Sequence, residues 1–328
     1  MISHFYLLAL LAVHIQPVIT VLYPPTPVTI DGRTTLYYEL QIIHSAPTRI
    51  EVAGTILDQK EIAGRTKPGD TSIIYMEVAL KGPAPDSLIH YITIQSETIR
   101  TAIPVTHTVP IVLSPPLHGG PWAAVREPSW ERGHRRVIFT LDGHSRIPGR
   151  FAVDFILLNG QGKYAKGNED SIRNWYGYAA EVLAVADGII VKTRDDFKES
   201  PTLSAHPKYP AEQATGNFIC IKIKEGQFVF YEHLQPGSLR VRPGQKIKKG
   251  QPIARLGFTG QSTGPHLHLH VADSDSPLGS EGLPFVFDRF TLLGGYPDFG
   301  VFGKEPWTPG SRPVLQQEYP AHNTVIHF

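Results

Sequence analysis

Gly264-Pro265-His266-Leu267-His268-Leu269 sets two histidines two residues apart in an apolar run. In a β-strand successive side chains alternate between faces, so both imidazoles point the same way. The glycine and proline just upstream mark where such a strand begins. Neutral histidine is a common metal ligand and also a general acid or base near neutral pH. A pair on one strand face suits a zinc site with a catalytic neighbour, and it suits equally well two strand histidines facing water. The rest of the chain decides between these.

Two more segments bear on the choice. Phe228-Val229-Phe230-Tyr231-Glu232-His233-Leu234 is a second strand-like run that ends in a histidine. Arg150-Phe151-Ala152-Val153-Asp154-Phe155-Ile156 is an apolar strand interrupted by one carboxylate. An unpartnered charge in an apolar setting costs free energy, and a metal ion is a good partner for it.

The order Asp154, then Tyr231-Glu232-His233-Leu234, then Gly264-Pro265-His266-Leu267-His268 resembles the lysostaphin/LytM-type zinc metallopeptidases, which cleave peptide cross-links of bacterial cell walls. Three intervening stretches agree with it in order: Tyr178 to Ile190, the Gly-rich hairpin Val241 to Ala254, and the loop Gly257 to Gly264. The likeness covers roughly residues 130 to 295. It implies a lysostaphin-type antiparallel β-sheet domain, a Zn2+ cofactor, and a peptide or peptidoglycan substrate. It further implies that Asp154 and His268 ligate zinc, and that His233 and His266 deprotonate the attacking water and stabilise the tetrahedral intermediate. A catalytic zinc commonly holds three protein ligands and leaves a fourth position for water.

The chain departs from that pattern at one place. Four residues before the aspartate, where the family has its first ligand histidine, this chain has Arg150. Arginine stays protonated and cannot ligate a cation. One expectation is an Arg150–Asp154 ion pair with zinc weak or absent. The other is that His134, His144 or His270 takes the missing place; His270 continues the two-residue series of His266 and His268.

Composition fits a two-domain, all-β protein. The 328 residues exceed what one hydrophobic core usually serves, and 30 glycines and 29 prolines punctuate many short β-branched and aromatic runs. Long helical periodicity is missing, and Ser171 to Ala180 is the best short helical stretch. From Val21 to Leu117 the alternating runs Thr35–Ile43, Arg49–Val52, Ser72–Val78 and Leu88–Ile94 predict an immunoglobulin-like sandwich. The expected organisation is a possible signal peptide over 1–20, the sandwich over 21–118, a linker over 119–133, the peptidase-like domain over 134–295 and a tail over 296–328.

Charge and cysteine usage narrow the function. A net charge of +1 without a long basic run speaks against nucleic acid. The five cations between Arg240 and Lys249 read as a solvated hairpin, and the lone Cys220 in an alternating strand reads as a small core residue. Phe5 to Val13 is apolar but too short to span a bilayer, which suits a signal-peptide core and export to the periplasm or beyond. Three functions follow: a zinc endopeptidase; a non-catalytic family member that binds cell wall or regulates, because of Arg150; and a biotinyl/lipoyl-like carrier, suggested by the Gly-rich hairpin but lacking a lysine at its tip. Retention of Asp154 with three histidines favours the first. Tyr231 and the loop from Asp195 to Ala214 are expected to border the cleft.

Overall fold

The computed structural model describes residues 16–67, 70–126 and 133–328. The apolar run Phe5 to Val13 lies outside them. Strands dominate, and the α-helix among the described residues, Gln59–Gly64, is one short element closed by a capping box between Asp58 and Glu61. None of the described helices is long and apolar enough to cross a membrane.

Two antiparallel sheets form the N-terminal part. One joins Val18–Val21, Arg33–Ile43, Asp70–Ala79 and Thr66–Lys67, with Thr26–Ile30 also paired to Arg33–Ile43; the other orders Thr55–Asp58, Arg49–Val52, Ser87–Ile94 and Glu97–Pro104. Strand Arg33–Ile43 explains how this part meets the rest. Its even residues Leu36, Tyr38, Leu40 and Ile42 enter the core between the two sheets. Its odd residue Tyr37 belongs instead to the core of the C-terminal part, along with Val28 and Ile30. The strand is covered on both faces, so six successive residues from Thr35 to Leu40 are buried even though its sequence alternates.

His90 makes the sandwich acid-sensitive. Its Nδ1 donates to the Leu88 carbonyl at 3.2 Å and its Nε2 pairs with the Tyr38 hydroxyl at 2.7 Å, in a fully buried position. Burial pushes its pKa down to about 4 from an ordinary 6.5. The unfolded chain therefore takes up this proton first as pH falls. The stabilisation is whole above pH 6.5 and is lost between 6.5 and 4, up to about 3 kcal/mol. Urea denaturation at pH 7 and pH 4.5 should show this loss in the native chain and a smaller one in His90→Gln. Equal losses in both would refute the assignment.

The C-terminal part is built on one large sheet, in the order Ile111–Leu113, Phe285–Gly295, Thr324–His327, Trp122–Val125, Val153–Leu157, Leu267–Ala272, Gln227–Glu232, Phe218–Lys224, Gly188–Arg194 and Lys246–Ile247. All neighbours are antiparallel except Ile111–Leu113 with Phe285–Gly295. Several expected boundaries move. Within the expected linker, Trp122–Val125 is a fully buried interior strand, and residues 127–132 lie outside the described ones. Ile111–Leu113 already belongs to the large C-terminal sheet, and the expected tail supplies Thr324–His327 to its interior. Val18–Val21, partly inside the expected signal segment, pairs with Leu40 to Ile43. The stretch from Ser171 to Ala180 holds only the 3-10 turn Ile172–Asn174.

Candidate metal centre

Three neighbouring strands build the site. Leu267–Ala272 is buried along its whole length because it lies between Val153–Leu157 and Gln227–Glu232. Leu267, Leu269 and Val271 face the main core, as do Val153, Phe155, Val229 and Tyr231. The period of two then sends His268, His270, Asp154 and Glu232 to the opposite face. Register sets Asp154 opposite His268, and His268 opposite Glu232, in one cross-strand row.

The ends of the strands bring in the other histidines. His266 precedes Leu267–Ala272, after a tight approach in which a Cβ on Gly264 would enter the Trp175 ring. His233 follows Gln227–Glu232 with φ of 61°, and this left-handed residue breaks the alternation that would have sent it to the core. Its ring centroid lies 4.7 Å from that of His266 and 5.9 Å from that of His268. His134 arrives from outside the sheet on the 3-10 turn His134–Arg136.

Asp154 is the hub. Its Oδ1 lies 2.9 Å from His268 Nδ1 and 3.3 Å from His266 Nε2, while its Oδ2 lies 3.2 Å from His134 Nε2. On the far side of the His268 ring, Nε2 meets His270 Nδ1 at 3.0 Å, and His270 Nδ1 lies 3.8 Å from Glu232. His233 and His266 each turn Nδ1 to a backbone carbonyl, Thr259 and Gly264 respectively, at 2.8 Å. A carbonyl only accepts, so each Nδ1 carries the proton and each Nε2 is left for the site. Among the described residues, ligand atoms within 4.8 Å of one another occur in three overlapping sets: His134, Asp154 and His268; His233, His266 and His268; and Glu232, His268 and His270.

Electrostatics follow the crowding. Burial pushes the Asp154 carboxyl up, but the charges of His134 and His266 and their hydrogen bonds outweigh it and hold the group well below the usual carboxylate range. Burial, reinforced by His266 and His268, holds His233 well below the ordinary imidazole value. Burial also depresses His266, yet the Asp154 charge prevails and its pKa is raised. Burial raises the Glu232 carboxyl and drives His270 well down. Beside the cluster lies a cavity of about 120 Å³ lined by Val137, Phe139, Pro148, Ala214, Pro277 and Leu278 together with His134, His268 and His270.

Residues 175–279 match peptidase family M23. The chain carries an M23 peptidase domain. The chain is 31% identical over 99 residues to the peptidoglycan DD-endopeptidase ShyA of Vibrio cholerae, covering 30% of this chain and 19% of ShyA. It is 43% identical over 56 residues to the peptidoglycan DD-endopeptidase ShyC of the same organism, covering 17% of this chain and 12% of ShyC. The match thus spans less than a fifth of the length of these curated relatives. Among solved structures, the catalytic domain of lysostaphin from Staphylococcus simulans overlaps 51% of this chain and 88% of its own at 21% identity, with a TM-score of 0.28 that carries no weight by itself.

Within and around the M23 domain, Asp154, His233, His266 and His268 converge. The three histidines considered for the missing ligand part company. His134 sits on Asp154, His270 touches the other nitrogen of His268, and His144 is exposed on the hairpin strand His144–Arg146, outside all three sets. The expected Arg150–Asp154 ion pair is not formed. Arg150 instead donates Nε to Glu281 at 2.8 Å and pairs through Nη1 with Glu39, both fully buried acids that satisfy its charge better than a hub already surrounded by imidazoles. Tyr231 is also corrected: it lies in the core, where its hydroxyl accepts from the Val185 amide at 2.8 Å. Glu232 was missed, although a carboxylate in an apolar strand is the same signal that singled out Asp154.

Proposed function

We propose that this chain is a zinc-dependent endopeptidase that hydrolyses peptide bonds of bacterial cell-wall cross-links. The observation that carries the reading is the approach of His134 Nε2 to Asp154 Oδ2, opposite His268 Nδ1 on Oδ1. Two imidazoles and one ionised carboxylate make a donor set suited to catalytic zinc, and their ligand atoms are close enough to share one ion. His134, Asp154 and His268 would hold it. Zinc bound there supplies Lewis-acid polarisation of a peptide carbonyl and acidification of a bound water.

The chain's own residues do the rest. His233 offers a lone pair at Nε2, because its proton is fixed on Nδ1 by the Thr259 carbonyl; it acts as the base for the water proton. His266, whose pKa the Asp154 charge raises, donates from Nε2 to the oxyanion when it carries a proton there. His270 pairs with His268 Nε2 and steadies its ring. The neighbouring cavity, of about 120 Å³, suits a small apolar side chain next to the cleaved bond. The curated relatives are peptidoglycan DD-endopeptidases, which supports a cross-link substrate and a place of action outside the cytoplasmic membrane.

Plasma mass spectrometry of the purified chain should find near-stoichiometric zinc, and incubation with peptidoglycan should release un-cross-linked muropeptides that chelator abolishes. A chain that takes up no zinc, even from excess metal, would instead be a cell-wall-binding or regulatory module.

A further inference from the structure

We propose that the N-terminal sandwich completes the zinc site, with Glu39 as a positioning residue that holds His134 in place through Arg135. The inference rests on the zinc-peptidase reading above and concerns how its least expected ligand is held.

His134 rides on a three-residue 3-10 turn whose N-cap makes no side-chain hydrogen bond, and so short a helical piece is not stable alone. Its two successors run the other way, into the sandwich. Arg135 is 2% exposed and donates Nε and Nη2 to Glu39 Oε1 at 3.1 and 2.9 Å; Nη2 also reaches the carbonyls of Tyr38 and Met76, each at 3.1 Å. Arg136 donates to the Thr66 carbonyl at 3.1 Å and stacks over the Tyr75 ring at 3.9 Å. Each of these anchors belongs to the first sheet of the sandwich. On the other side His134 packs onto Gly149, where a Cβ would crowd it.

Glu39 does a second job. Its other oxygen pairs with Arg150, which in turn donates to Glu281. Two carboxylates and two guanidiniums thus form a neutral buried chain across the two halves. The same sandwich residue grips the neighbour of His134 and the arginine that stands four residues before Asp154. Losing the negative charge of Glu39 removes the carboxylate that both buried guanidiniums share, so the turn must shift and carry His134 with it.

The test is zinc affinity by chelator competition and the visible d–d spectrum of the cobalt-substituted chain, which reports the ligand set without reference to activity. Glu39→Gln should lower zinc affinity about 10–100-fold, as loss of an outer partner of a ligand does. Its cobalt spectrum should move toward that of His134→Ala. Arg136→Gln, a milder change on the same turn, should shift both in the same direction by about tenfold and decides the matter if Glu39→Gln does not fold. Folded variants with unaltered affinity and spectrum overturn the positioning role while leaving the peptidase reading intact. An unaltered chain that binds neither metal overturns both.

Discussion

His134→Ala is expected to strip the protein of zinc and of peptidase activity together. Without His134, Asp154 and His268 remain as a two-ligand site, one short of the usual catalytic set. Loss of an outer-sphere partner already costs about 10–100-fold in affinity, and loss of a direct ligand should exceed ~100-fold. Dialysed protein should therefore retain almost no metal. His144→Ala, at an exposed hairpin 10 residues further along the chain, should keep both zinc and turnover. Full zinc retention by His134→Ala would mean that another set, such as His233, His266 and His268, holds the ion.

His233→Ala and His266→Ala should behave in the opposite manner, keeping zinc while losing chemistry. Both rings present Nε2 to the site from a backbone-anchored Nδ1, which suits proton transfer and oxyanion binding. General acid–base groups typically contribute about 10²–10⁴-fold, so kcat should fall by roughly that factor with metal content unchanged. KM should move much less, because neither ring is needed to hold the substrate's ground state. If zinc disappears with either ring, the division into ligands and proton-handling residues is wrong.

Much of the site was legible because strand geometry makes it local. A period of two puts His266, His268 and His270 on one face, and one carboxylate in an apolar strand asks for a partner across the sheet. What could not be read is what depends on distant contacts. His134 lies 20 residues before Asp154 with no periodic relation to it, and His134, His144 and His270 were all candidates for one role. Arg150 finds acids 111 and 131 residues away rather than its neighbour Asp154. Trp122–Val125 resembled a linker because prolines and glycines precede it, and because four wholly buried residues show no alternation. The two-sheet N-terminal part was read from its alternating strands, but the second buried face of Arg33–Ile43 was not.

The placement of Thr324–His327 bears on how the molecule comes to exist at all. It is zipped between Trp122–Val125 and Phe285–Gly295, and Ala124 and Thr324, about 200 residues apart in the chain, are direct partners. Such contacts reward the chain only after a very long loop has closed, which slows folding. Until then Trp122–Val125 presents an apolar edge to any passing strand. Recovery from denaturant should therefore be slow and fall with protein concentration, and Asp154 and His268 will be brought together only as the sheet closes.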